Sequence, residues 1–198
     1  MPKSPIAPES LALQRLYRWE REQPDRVIFT QPMGGGALET FTWAQAMGQV
    51  RRMAAHLTRL GIQPGDRVAL ISKNTAHWMM TDYAIWLAGG VSVPLYPTLA
   101  AGTIRQILEH SESKLLFVGK LDGWKGMKPG IPKGLPCISH PLADEDARKS
   151  YPQWDDIAAR PSRAARLRPR LTTRPVSLSP RSVRPWAIPP PTPSPRAP

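Results

Sequence analysis

Cysteine is nearly absent: Cys137 is the single one in 198 residues. No disulfide can form within the chain, which fits a reducing compartment. Long apolar runs are lacking too. The most apolar stretch, residues 84–96, is broken by Gly89-Gly90 and Pro94 and is too short to span a bilayer. The start, Met1-Pro2-Lys3-Ser4-Pro5, leads into an amphipathic stretch without a secretory signal pattern. The expected location is the cytoplasm, with peripheral attachment to the inner face of the membrane as an option. His56, His77, His110 and His140 show no paired ligand spacing, so no metal site is expected. Residues 161–198 contain no acid and no lysine, but eight Arg and eleven Pro. Most of the net charge of +12 therefore sits there, and the first 160 residues have an ordinary, mildly basic composition. That unevenness argues against a nucleic-acid-binding fold.

What is present is periodic. Ser10 is placed to cap a helix over 11–22 that Pro24 stops. Residues 27–31 and 38–41 read as strands around the turn Gly34-Gly35-Gly36, a hairpin. Thr42-Trp43-Ala44-Gln45 has the form of a capping box. Trp43, Ala46, Met47, Val50, Ala54 and Leu57 recur at helical spacing after it, and Gly61 closes that helix as a left-handed glycine would.

A β-α-β-α-β pattern follows. Strands are expected at 67–72, 91–95 and 115–118. Between them, Asn74 or Thr75 caps a helix reaching Ala88, and Pro97-Thr98 opens another bearing Ile104, Ile107 and Leu108. Continuous apolar strands alternating with helices predict an α/β fold with a parallel sheet covered on both faces. The helix before Ala88 is apolar on most sides, with Ala76, Met79, Met80, Tyr83 and Leu87 on one face and Trp78, Ile85 and Trp86 elsewhere. It expects cover on most sides. An uncovered helix face and an open sheet edge would predict self-association. Residues 119–160 read as loop-rich, with a short helix over 151–159 and Asp144-Glu145-Asp146 in a solvated loop. Residues 161–198 have neither a 3.6 nor a 2 period and are expected to be disordered.

Several runs carry a family resemblance. They are Gly61-Ile62-Gln63-Pro64-Gly65-Asp66-Arg67-Val68-Ala69-Leu70, then Ser72-Lys73-Asn74, then Ala88-Gly89-Gly90-Val91-Ser92-Val93-Pro94-Leu95-Tyr96-Pro97-Thr98-Leu99. Ile107-Leu108-Glu109-His110-Ser111 and Lys114-Leu115-Leu116-Phe117-Val118 follow in order. Together with the hairpin, residues 10–160 resemble the N-terminal part of an AMP-forming acyl-CoA synthetase, on the long-chain fatty acid–CoA ligase branch. The resemblance implies 1–160 as a fragment of the AMP-binding synthetase domain and 161–198 as a separate Arg/Pro-rich tail.

The resemblance also implies chemistry. Such enzymes convert a fatty acid and ATP to an acyl-adenylate, with Mg²⁺, and then pass the acyl group to coenzyme A. The family's phosphate loop, adenine motif, ribose-binding Asp and catalytic lysine have no counterpart in these 198 residues, so no catalytic residue is carried over and the fragment is expected to be inactive and to bind these cofactors poorly. In relatives, the turn after the second core strand lies near coenzyme A. That places Tyr96, Pro97 and Thr98 in the coenzyme A vicinity, against a plain turn and helix cap. Pro132-Lys133-Gly134 matches the end of a phosphate loop only superficially, because Pro129 and Pro132 remove backbone donors. Cys137 lacks a neighbouring base and is not expected to be a nucleophile. The tail has three readings: a basic arm for nucleic acid or an acidic surface, a polyproline ligand for a protein partner, or an out-of-frame translation beginning where the resemblance stops. The third is preferred.

Overall fold

The computed structural model describes residues 11–159. The Ser10 cap and the Arg/Pro-rich tail lie outside them. The chain enters through α1 (Ala12–Glu22), which is followed by the antiparallel hairpin of β1 (Val27–Gly34) and β2 (Ala37–Thr42). Both strands are longer than their apolar residues suggested, because Pro32↔Leu38 and Gly34↔Ala37 still pair close to the tip.

Helix α2 (Trp43–Arg59) starts at the expected capping box. The Gln45 amide donates to Thr42 Oγ1 (3.3 Å), and the Thr42 amide donates to Gln45 Oε1 (2.9 Å). Its end is equally local. Gly61 is left-handed (φ 92°), and the Ile62 amide closes on the Leu57 carbonyl at 3.1 Å. A Thr42→Ala substitution is expected to cost about 1 kcal/mol and Thr42→Gly only a few tenths. Urea unfolding midpoints check this, and equal losses for both would refute the cap's role.

β3 (Arg67–Ile71), β4 (Val91–Leu95), β5 (Leu115–Val118) and β6 (Cys137–Ser139) form one parallel sheet in the order β4-β3-β5-β6. Between them come α3 (Ala76–Leu87), capped by Thr75 through the Trp78 amide (3.1 Å), and α4 (Ala101–His110). The pleat sorts each strand's side chains to opposite faces. Val68, Leu70, Leu115, Phe117 and Ile138 join a core with α2, α3 and α7 (Trp154–Ala159). Ala69, Ile71, Leu116, Val118 and Cys137 join a second core with α4, α5 (Trp124–Met127) and α6 (Glu145–Ser150). β3, β5 and β6 are covered on both faces, which is why they carry no polar alternation, while β4 is buried only at Leu95.

Four expectations are corrected. Pro97-Thr98 does not open α4. The chain turns there, and the helix begins at Ala101 after Ala100, with no side-chain cap. Residues 119–150 hold α5, a 3-10 turn at Lys128–Gly130, β6 and α6 where loop was expected, and the short helix expected over 151–159 is α7. Elements of three to six residues are too short to display a period, so only burial reveals them. Asp144-Glu145-Asp146 is the start of α6. Asp144 caps it through the Asp146 amide (2.9 Å), and Asp146 accepts from the Trp124 indole and from Lys128, each at 2.7 Å. Finally, α3 is not left bare. Ala76, Met80, Ala84 and Ile85 are buried, and Trp78, Met79, Tyr83, Trp86 and Leu87 are half-buried.

Strand β4 is an edge. The Val91 amide bonds inward to the Asp66 carbonyl (2.8 Å), so the two-residue period turns the nitrogens of Ser92 and Pro94 to the open side. Pro94 has no N–H to offer a second chain there, a common protection of sheet edges.

Candidate functional site

In open parallel sheets, ligands sit where successive connections leave in opposite directions, beyond the carboxyl ends of the strands. Here the chain moves from β3 out to β4, then back across to β5. The switch point therefore falls between the ends of β3 and β5, at Ser72-Lys73 and Gly119-Lys120.

That crevice is filled by the chain itself. Ser72 Oγ accepts from the Lys120 amide (3.0 Å) and donates to the Lys73 carbonyl (2.6 Å). The Lys73 amide donates to the Lys120 carbonyl (2.9 Å), and the Gly119 amide to that of Ile71 (2.9 Å). A Cβ on Gly119 would stand 2.2 Å from Ser72 Oγ and 2.8 Å from His140 Nδ1. Lys73 pairs with Asp122 across the same ends. A phosphate cradle needs successive backbone N–H groups with no other partner. Those of Lys73, Gly119 and Lys120 are all engaged, so these residues do not fit the phosphates of ATP.

The sequence-selected turn lies one strand further out, at the carboxyl end of edge strand β4. Tyr96 is 78% exposed, Thr98 is exposed and Pro97 is half-buried. The structure brings these three to the carboxyl end of the sheet but outside the switch point. Pro132-Lys133-Gly134 forms a turn closed by the Leu135 amide on the Pro132 carbonyl (3.2 Å). It precedes β6, at the amino end of the sheet, where no such ligand is expected. Gly34, Gly35 and Gly36 are all left-handed in the hairpin turn.

The residues that carried the family resemblance are largely structural. Gly65 donates to the Gly89 carbonyl (2.8 Å), and a Cβ on Gly89 would press on Pro64 at 3.3 Å. Asp66 Oδ2 accepts from the Gln63 amide (2.8 Å). Two turns thus lock together at the amino ends of β3 and β4.

Sequence reasoning missed a buried polar group under the carboxyl ends. His77 and His140 are 3% and 1% exposed, and His140 Nε2 lies 2.8 Å from Thr81 Oγ1. Burial holds His77 down to about 4, and burial followed by the neighbouring His77 holds His140 at about 3. The histidines are far apart in sequence, and the missed strand β6 is what delivers His140. Among the described residues, no three His, Cys, Asp or Glu side chains gather to hold a metal ion. A groove of about 280 Å³ between α2 and α7 is lined by Gln49, Arg52, Asp155, Ala158 and Ala159. Burial, then Asp156, raises the Asp155 carboxyl. Cys137 is buried in β6, and burial pushes its thiol up to about 11, away from nucleophilic use. No helix of the described residues is long and apolar enough to cross a membrane.

Comparison with known proteins agrees with this architecture. The long-chain-fatty-acid–CoA ligase FadD15 of Mycobacterium bovis is 39% identical over 127 residues, covering 64% of this chain and 21% of that protein. The chain thus spans about a fifth of that relative's length. The acetoacetyl-CoA synthetase of Streptomyces lividans superposes with a TM-score of 0.66 at 22% identity, over 76% of this chain and 25% of that one. A benzoate CoA ligase from Burkholderia xenovorans LB400 gives 0.62 at 17% identity, over 74% and 27%. These likenesses show the fold, as the N-terminal part of such ligases. The sequence pattern of the AMP-binding enzymes matches residues 16–183, and the chain belongs to that family.

Proposed function

We propose that this chain is the N-terminal scaffold of a long-chain fatty acid–CoA ligase and does not carry out acyl activation by itself. The observation that carries the first half is the 39% identity to FadD15 over 127 residues. The filled switch point supports the second half: the carboxyl ends of β3 and β5 hold each other and offer no phosphate donors. In a complete enzyme these elements would brace the domain on which ATP, Mg²⁺, fatty acid and coenzyme A meet. Tyr96, Pro97 and Thr98, at the carboxyl end of β4, would lie nearest coenzyme A. The work would take place in the cytoplasm, and long-chain substrates would bring it to the membrane's inner face.

Fatty-acid-dependent ATP–pyrophosphate exchange tests the reading. Purified chain is expected to show no exchange above the no-enzyme background, and calorimetric titration with ATP–Mg²⁺ or coenzyme A no saturable heat. Exchange that rises with palmitate would overturn the scaffold reading.

A further inference from the structure

The least expected group in the molecule is the histidine pair beneath α3. The rings of His77 and His140 stand 5.9 Å apart, centroid to centroid. Phe41 meets His77 edge-on at 5.5 Å, and Phe117 lies 5.8 Å from His140. Trp154 of α7 meets both rings nearly at right angles, at 5.5 and 5.7 Å. Thr81 supplies the one side-chain hydrogen bond, to His140. His77 Nε2 and His140 Nδ1 are buried without a partner.

No charge compensates the pair. The charged and titratable groups on the surrounding elements are Glu39 on β2, Arg51, Arg52, His56 and Arg59 on α2, Arg67 on β3, Asp82 and Tyr83 on α3, Cys137 on β6, and Asp155 and Asp156 on α7. Lys73 and Lys120 follow the ends of β3 and β5. None of these carboxylates or cations bonds to either ring. A proton on either imidazole would sit in an apolar, aromatic box next to another imidazole, with no acid to receive it.

We propose that His77 and His140 form an acid-sensitive latch: as neutral rings they let α7 close on the sheet through Trp154, and protonation of the pair drives them out and releases α7. The sign follows from linkage. Both folded values, about 4 and about 3, lie below the unfolded value of about 6.5, so unfolding takes up protons. The stabilisation is complete above about pH 6.5 and is lost as pH falls from there toward the folded values. Between pH 7.5 and pH 5 each imidazole raises the unfolded-to-folded ratio about 30-fold. Glu39, Asp82 and Asp155, whose carboxyls are raised chiefly by burial, act in the opposite direction, so the comparison must be between variants.

Urea unfolding of the full chain at the two pH values provides it. His77→Phe keeps a ring in the box, and His140→Gln keeps a polar contact to Thr81. Each is expected to remove about a 30-fold share of the pH dependence. A pH dependence unchanged in both variants overturns the latch. Should either variant fail to fold, imidazole carbon shifts in the unaltered chain decide the matter. Both rings neutral at pH 5 support the latch, and titration of either near 6.5 overturns it. At pH 5, exchange of the Ile157 amide, which bonds to the Gln153 carbonyl, should accelerate before that of Val68. Simultaneous exchange of the two would refute a separate release of α7.

Discussion

Trp154→Ala is expected to destabilise the chain by roughly 4 kcal/mol, a large part of the stability of a domain this size. Trp154 is fully buried although it stands only five residues before the end of the described chain. Its ring packs on His77, His140 and Phe117, and its indole N–H donates to Gln49 Oε1 at 2.7 Å. Truncation would leave a cavity bounded by three aromatic rings and would detach α7 from α2. Trp154→Phe separates the two contributions. It keeps most of the volume and loses the hydrogen bond, at an expected cost of about 1–2 kcal/mol. Denaturant midpoints at pH 7.5 measure both. A loss under 1 kcal/mol for the alanine variant would mean that α7 is not an integral part of the core.

Gly119→Ala comes second, with an expected loss of about 3 kcal/mol from overpacking. The added Cβ would lie 2.4 Å from Ser72 Cβ as well as 2.2 Å from its Oγ. Ser72 cannot swing aside cheaply, because its hydroxyl holds both the Lys120 amide and the Lys73 carbonyl. Ser72→Gly removes both clashing atoms, so the double variant should recover part of the loss. The coupling between the two sites is expected to exceed 1 kcal/mol. Strictly additive effects would show that the clash is relieved elsewhere and that the carboxyl ends of β3 and β5 are not locked together.

Much of the fold was legible because its signals are local. The capping box at Thr42 and Gln45 needs four residues, and both hydrogen bonds are present. Gly61 closes α2 in a left-handed conformation for which glycine meets no steric penalty. Strands β3, β4 and β5 appear within one residue of their expected bounds; β3 and β5 are buried on both faces and so are apolar almost throughout, whereas β4 is an edge strand with only Leu95 fully buried. The later elements were hidden for the opposite reason. β6 is three residues long, and α5 and α6 span four and six. None of these completes two turns or two full alternations. α7, expected within 151–159, is the exception. Pro97-Thr98 misled because proline at the start of a helix and proline in a turn look alike in sequence.

The candidate site divides in the same way. Tyr96, Pro97 and Thr98 were selected by resemblance, and the structure sets them at the carboxyl end of an edge strand, outside the switch point. The histidine pair left no trace in sequence, because the 62 intervening positions include a crossover to the far side of the sheet.

The sequence by itself determined the α/β class, the hairpin, three of the four strands and the family. Each of these rests on periodicity, on a cap of a few residues or on an ordered set of motifs. Only the tertiary structure decided that β5 crosses β3 to create the switch point, and that Ser72 and Gly119 close it. It also decided that two distant histidines share one dry box with Trp154. Strand order and burial depend on which surfaces meet, and no local pattern of side chains records that.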